Sequence, residues 1–193
     1  MYTKNQINKL IDKKCPGRDN SRIYVVAIRS GVTGDNTLGE FNDRCYVIFD
    51  HALKGSWIMN TDPSNNIPGR ATLNPGVWKF RAGKHHINDP KPKGRAAFRQ
   101  FGDVTVHRHQ EGNDTGEFGI NIHDSLSGTT SSEGCQTFQK QNWSNLVDGG
   151  FRDVMYRILK VSSDSVMRNP SGIGSWFFYI LLDLKEAEAI LAA

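Results

Sequence analysis

A mainly β domain of the α+β kind is predicted, on three observations. Between residues 23 and 124, runs of branched and aromatic residues of strand length recur, each bounded by Gly, Pro, Asn or Asp. Past Cys135 the apolar residues change to helical spacing: Phe138, Trp143, Leu146 and Val147, then Phe151, Val154, Met155, Ile158 and Leu159. The longest apolar run, Trp176 to Leu182, has strand composition and falls well short of the ~20 residues that cross a bilayer. No membrane span is expected.

Taken in order, Thr3 ahead of Ile7, Leu10 and Ile11 reads as a capped amphipathic helix stopped at Cys15-Pro16-Gly17, so residues 1–17 form a helix and lead-in. Strands are expected over 23–30, 44–50, 55–61, 76–82, 104–109 and 117–124. Residues 51–55 read as a hairpin connection, and 60–75 and 88–94 as loops rich in Asn, Pro and Gly. A helix is expected to open at Cys135, and the strand 176–183 leads into a short Ala/Glu/Leu helix ending at Ala193. With no internal repeat and no linker-like stretch, residues 1–193 read as one domain, long enough to bury a core.

Hydrophobic residues make up 37% of the chain and mean hydropathy is −0.51. The N-terminus has no apolar run of signal-peptide type, so synthesis in the cytoplasm and arrival at the site of action by another route are expected. Three cysteines, an odd number, argue against a disulfide framework and for at least one free thiol. The net charge of +4 is unevenly placed. Residues 76–100 hold Lys79, Arg81, Lys84, Lys91, Lys93, Arg95 and Arg99 against Asp89, a local +6 that leaves the remainder at −2. Such a lobe attracts polyanions, or is a solvated lysine-rich loop. It has no interleaved aromatics and no nucleic-acid motif, so nucleic acid is not the expected partner.

Chemistry is concentrated in Gly119-Ile-Asn-Ile-His123-Asp124 and, after a polar loop, Ser132-Glu133-Gly134-Cys135-Gln136. A thiol is nucleophilic as thiolate, and a helix N-terminus or a nearby imidazole lowers its pKa. Of the three cysteines, Cys45 shares a strand face with Val47 and Phe49 and reads as a small buried hydrophobe. Cys15 ends a helix with no histidine nearby. Cys135 alone has glycine before it and a histidine twelve residues earlier. A second constellation, His107-Arg108-His109 with His85-His86 upstream, leaves open a zinc peptidase built on His107, His109 and His123.

The pair His123 and Ser132-x-Gly134-Cys135 resembles the signature of the L,D-transpeptidase (YkuD-type) catalytic domain. Asn74-Pro75-Gly76-Val-Trp-Lys-Phe80 is similar to that family's Thr-Pro-x-Gly-x-aromatic strand, and the resemblance runs in outline from Ile23 to Asp183. It implies an L,D-transpeptidase-like β-sandwich with a helix after the cysteine. It also implies a thioester formed by Cys135 on a peptidoglycan stem peptide. His123 would be the base, Asp124 would orient it through its backbone carbonyl, and the Gly134 and Cys135 amides would hold the oxyanion. Ser132 and Gln136 would border the substrate. Gln136-Thr137 stands where the family has an aliphatic residue and a substrate-binding arginine, so Arg95 or Arg99 is expected to supply that contact. No metal or other cofactor is needed.

The missing signal or anchor favours an endolysin-like hydrolase, released at lysis of a phage-infected cell, over a crosslinking transpeptidase. A cell-wall-binding or virion structural module with the fold but not the chemistry is the remaining alternative.

Overall fold

β1 (Tyr24–Arg29), with every residue buried, lies between β11 (Ile173–Asp183), which runs parallel to it, and the antiparallel β2 (Asp43–Phe49). A strand buried on both faces needs a continuous apolar run, and Tyr-Val-Val-Ala-Ile supplies it. The structure is a computed structural model that describes residues 1–31, 40–63, 67–85, 95–125, 130, 132–145, 147 and 149–193. The expected loop at 88–94, together with His86 and Leu146, lies outside the described residues.

β2 turns into β3 (Ala52–Met59) through Asp50 and His51, both left-handed with φ of 50° and 57°. Two positive-φ residues match the right-handed twist of the flanking strands. The connection is thus tighter than the expected 51–55, and Ala52 to Gly55 belong to the strand.

The large sheet continues through β5 (Gly76–Lys84), β6 (Ala96–Gln100), β9 (Asn121–Asp124) and β10 (Gln136–Phe138), in the order β10-β9-β6-β5-β11-β1-β2-β3. Just past β3, Asn60 exchanges two 2.8 Å backbone hydrogen bonds with Thr137 of β10, so the sheet nearly closes on itself. β4 (Ala71–Leu73), β7 (Val104–Arg108) and β8 (Gly112–Gly116) form a second sheet. The mainly β expectation therefore holds, with a nearly closed sheet and a three-stranded sheet as its layers.

The register sorts the side chains. Phe80, Ala82, Phe98, Ile122, Gln136 and Phe138 point inward and are buried. Phe98 meets the rings of Trp143, Phe151, Tyr156 and Phe177 edge-on at 5.3–5.7 Å. Trp143 comes from α2 (Lys140–Trp143) and Phe151 and Tyr156 from the amphipathic α3 (Phe151–Leu159), which together form a plug, while Phe177 comes from β11. α4 (Ser163–Arg168) follows, with a Ser162 capping box. Across β11, β1 and β2 the opposite face is covered by Ile7, Leu10 and Ile11 of α1 (Lys4–Lys14) and Ala187 of α5 (Leu184–Ala192). Thr3 caps α1 as expected, through a capping box with Gln6.

Arg29, fully buried at the end of β1, donates to Thr61 Oγ1 and to the carbonyls of Thr61 and Leu73, with Asp62 at 3.3 Å. It ties the stretch after β3 to β4.

The expected helix opening at Cys135 is corrected to a strand. Gln136, Thr137 and Phe138 run parallel to Ile122, His123 and Asp124 on one side, and Thr137 meets Asn60 on the other. Backbone partners on both sides hold the segment extended, and the next helix begins five residues after Cys135, at Lys140.

Candidate active site

Odd-numbered residues of the β5-β6-β9-β10 end of the sheet share the face turned away from α3. The ladder continues past β5 through a 2.9 Å hydrogen bond from His85 N to Arg95 O. His85, Arg95, Arg99, Asn121, His123 and Cys135 therefore belong to one surface.

Cys135 enters β10 beside Asn121. Its thiol lies 4.0 Å from the Gly119 carbonyl, within reach of a weak S–H donation. His123 places Nδ1 2.6 Å from the Asp124 carbonyl oxygen. A carbonyl only accepts, so Nδ1 carries the proton and the basic lone pair is on Nε2. This is the carbonyl contact expected of Asp124. The Cys135 sulfur, a His123 nitrogen and a His85 nitrogen all lie within 4.8 Å of one another. The two imidazoles stack with centroids 4.3 Å apart and planes 21° off parallel. Asn121 Nδ2 donates to His85 Nδ1 at 3.0 Å and to the Gly119 carbonyl at 2.6 Å.

Burial raises the pKa of the Cys135 thiol above its ordinary value; hydrogen bonds from the backbone and side chain of Asn121, and the charge of Arg95, pull it back. Without a helix N-terminus behind it among the described residues, the thiol has the Asn121 donors and the charge of Arg95 to favour thiolate. Arg95 is lowered by its own burial and restored in part by Asp124 and Cys135. Its Nε stands 3.8 Å from Asp124 Oδ1, an ion pair too long to be a hydrogen bond. Arg95 Nη1 and Asp124 Oδ1 are both buried without a hydrogen-bond partner among the described residues. Arg95 thus brings an unsatisfied donor to the sulfur's surroundings.

The Ser132–Cys135 turn is built rigidly. Gly134 has φ of 143°, and a Cβ there would sit 2.6 Å from the Ala71 carbonyl oxygen, so glycine is required. Arg70 donates to the Ser132 carbonyl at 3.1 Å and pairs with Glu133 at 3.3 Å. β4 and the residue before it therefore seat the turn.

Four sequence expectations are corrected. Ser132 does not face a substrate: its hydroxyl donates to the Cys135 carbonyl at 2.7 Å and accepts from Gly134 N at 3.1 Å. That second bond commits the Gly134 amide, so it is not a ready oxyanion donor. Gln136 points into the core, where Nε2 donates to the Thr61 and Gly134 carbonyls and Oε1 accepts from Tyr179. Register parity put it on the wrong side for substrate. His107 and His109 do not join His123, because they follow from β7 in the other sheet and His107 contacts Asn113 at 3.3 Å. Among the described residues the cluster that could hold a metal is His85, His123 and Cys135.

Arg99 lies on the site's face but donates to the Lys84 carbonyl, two strands from Cys135. Asn121 escaped sequence reasoning, and His85 was noted only upstream of the His107–His109 pair, not as a neighbour of Cys135. The signal for Asn121 was its i−2 spacing from His123 on a strand, which puts both on one face. His85 needed the β5–β6 pairing, invisible while 88–94 read only as a loop. Comparison with family models, with curated proteins and with solved structures found no match.

Proposed function

We propose that this chain is a cysteine acyl-transfer enzyme of L,D-transpeptidase type, acting on peptidoglycan stem peptides and resolving its thioester with water. The observation that carries the reading is the His123 imidazole, fixed by the Asp124 carbonyl, on one surface with the Cys135 sulfur. A separation of up to 4.8 Å leaves a thiol rotation before proton transfer, as is common in sites without substrate.

In the first half-reaction Cys135 Sγ attacks the amide carbonyl carbon as its proton passes to His123 Nε2, and an S–C bond forms. The C–N bond then breaks, and the leaving amine takes that proton. Water next gives a proton to His123 and its oxygen to the acyl carbon. The C–S bond breaks, the thiol regains its proton and a free carboxylate leaves. The backbone N–H of Asn121, which favours the thiolate, and the Cys135 amide would be the oxyanion donors, the Asn121 side-chain amide being committed to His85 and Gly119.

The test is digestion of purified peptidoglycan, with the fragments identified by mass spectrometry. Wild type should release peptides cleaved at one bond type, Cys135→Ala should release none, and EDTA should change nothing. New cross-links in place of free carboxylates would make the enzyme a transpeptidase. No change to the wall at all would favour a binding module.

A second reading rests on the His85–His123–Cys135 cluster: two imidazoles and a thiolate are a ligand set for zinc, with a fourth position for water. The same experiment separates the two, since a metal hydrolase would lose activity to EDTA and regain it with zinc.

A further inference from the structure

On the same face, two strands from the thiol, lies a groove of about 480 Å³. Its charged lining is Lys79, Arg81 and Arg99, with Glu117 the one acid. None of the three cations forms an ion pair with a carboxylate within 4.0 Å among the described residues. Arg81 and Arg99 crowd each other, and Arg99 is lowered by burial and by that neighbour. Arg81 Nε is buried without a hydrogen-bond partner among the described residues.

Like charges held together in this way need a reason, and the backbone makes room for them. A Cβ at Gly83 would meet Arg99 Cδ at 2.5 Å, and one at Gly172 would strike Arg81 Nε. The Arg81 guanidinium rests 4.7 Å from the Phe101 ring centre and the Lys79 ammonium 4.5 Å from that of Trp176, so the cations are braced before any ligand arrives. Backbone carbonyls take only part of their donors: Ser171 from Arg81 and Lys84 from Arg99.

We propose that this groove is the subsite for carboxylates of the peptide substrate, an inference that rests on the acyl-transfer reading above. Arg99 pairs with Asn121 across β6 and β9, and Asn121 adjoins Cys135 across β9 and β10, so with strands about 4.8 Å apart Arg99 is about 10 Å from the nucleophile and Arg81 about 14 Å. An extended peptide advances about 3.3 Å per residue, so the groove meets side chains or a terminus three to four residues from the attacked carbonyl. Arg81 and Arg99 each present a planar fork suited to a carboxylate, which discriminates an acidic peptide from a neutral one.

The experiment uses full-length Cys135→Ala protein, which binds without turnover, and calorimetric titration with soluble stem-peptide fragments. A second arm uses the same fragments with their carboxylates amidated, and a third uses poly(glycerol phosphate). The acidic fragments should bind about tenfold more tightly than the amidated ones, and Arg99→Gln or the exposed Lys79→Gln should erase most of that difference. Raising salt should weaken the acidic fragment selectively. Equal affinity for both peptides, or no effect of Lys79→Gln in a protein with unchanged circular dichroism, would overturn the proposal. Tight binding of the phosphate polymer alone would reassign the groove to wall polymers. Because no chemistry is read, these failures leave the thioester reading to be judged by digestion.

Discussion

At the scale of single residues, the structure separates two kinds of cysteine. Cys45 is fully buried in β2 and burial pushes its thiol far above the ordinary range, whereas Cys135 is partly exposed and flanked by Asn121, Arg95 and two imidazoles. Iodoacetamide should label Cys135 in the native protein and spare Cys45. The Cys135 pKa is raised, so its thiolate fraction at neutral pH is small and labelling should climb as pH rises toward and past ~8.5. Arg95→Met removes a charge that favours thiolate and should move the profile to still higher pH; mass spectrometry across a pH series reads both. Equal labelling of the two cysteines would remove the case for a nucleophile. Gly134→Ala is a separate test of the turn. Its φ is costly for a residue with a side chain and the Ala71 carbonyl blocks the methyl, so a stability loss of about 1–3 kcal/mol is expected by denaturant titration. The Cys–His motif was legible because it depends on residue type and spacing. The inward turn of Gln136 was not, since it depends on pairing β10 with β9, and the committed Gly134 amide was not, since it depends on the turn seating Ser132 Oγ beneath it.

Among the elements, the apolar runs were the readable ones. β1, β2, β5, β7 and β11 lie close to their expected spans, and α1 carries the cap its Thr3 announced. β6 was hidden because Ala96–Gln100 holds a single large apolar residue, Phe98, and sat inside a stretch read for charge. β4 and β10, of three residues each, are too short to have a period, and β8 has no apolar residue at all. Helical spacing at Phe138 and Trp143 misled, because Phe138 reaches the α3 plug from a strand, stacked 4.7 Å from Phe151. Phe98 is where β6 meets that plug, fully buried among four rings. Phe98→Ala should lower stability by about 3–5 kcal/mol, read as a fall in the urea midpoint at constant slope. A change under 1 kcal/mol, about the scale of a single methylene, would mean that the plug does not pack as described.

Seen as a whole molecule, the chain keeps its two faces for different work. α1 and α5 seal β11, β1 and β2, while the face over β5, β6, β9 and β10 carries the thiol, the imidazoles and the basic groove. The lobe of charge visible in the sequence is thereby divided: Lys79, Arg81 and Arg99 line the groove, and Arg95 stands beside Cys135. That division follows from strand register, which no composition reports.

The bridge from Asn60 to Thr137 also restricts how a partner can approach. Many peptide-binding proteins hold their ligand by β-augmentation, adding it as a further strand along an unpaired edge. β10 has no such edge, since β9 occupies one side and Asn60 the other. On the proposed acyl-transfer reading, a peptide coming to Cys135 would therefore be gripped by side chains and by the few amides at the turn. Selectivity for such a peptide would follow the chemistry of its side chains more than its backbone.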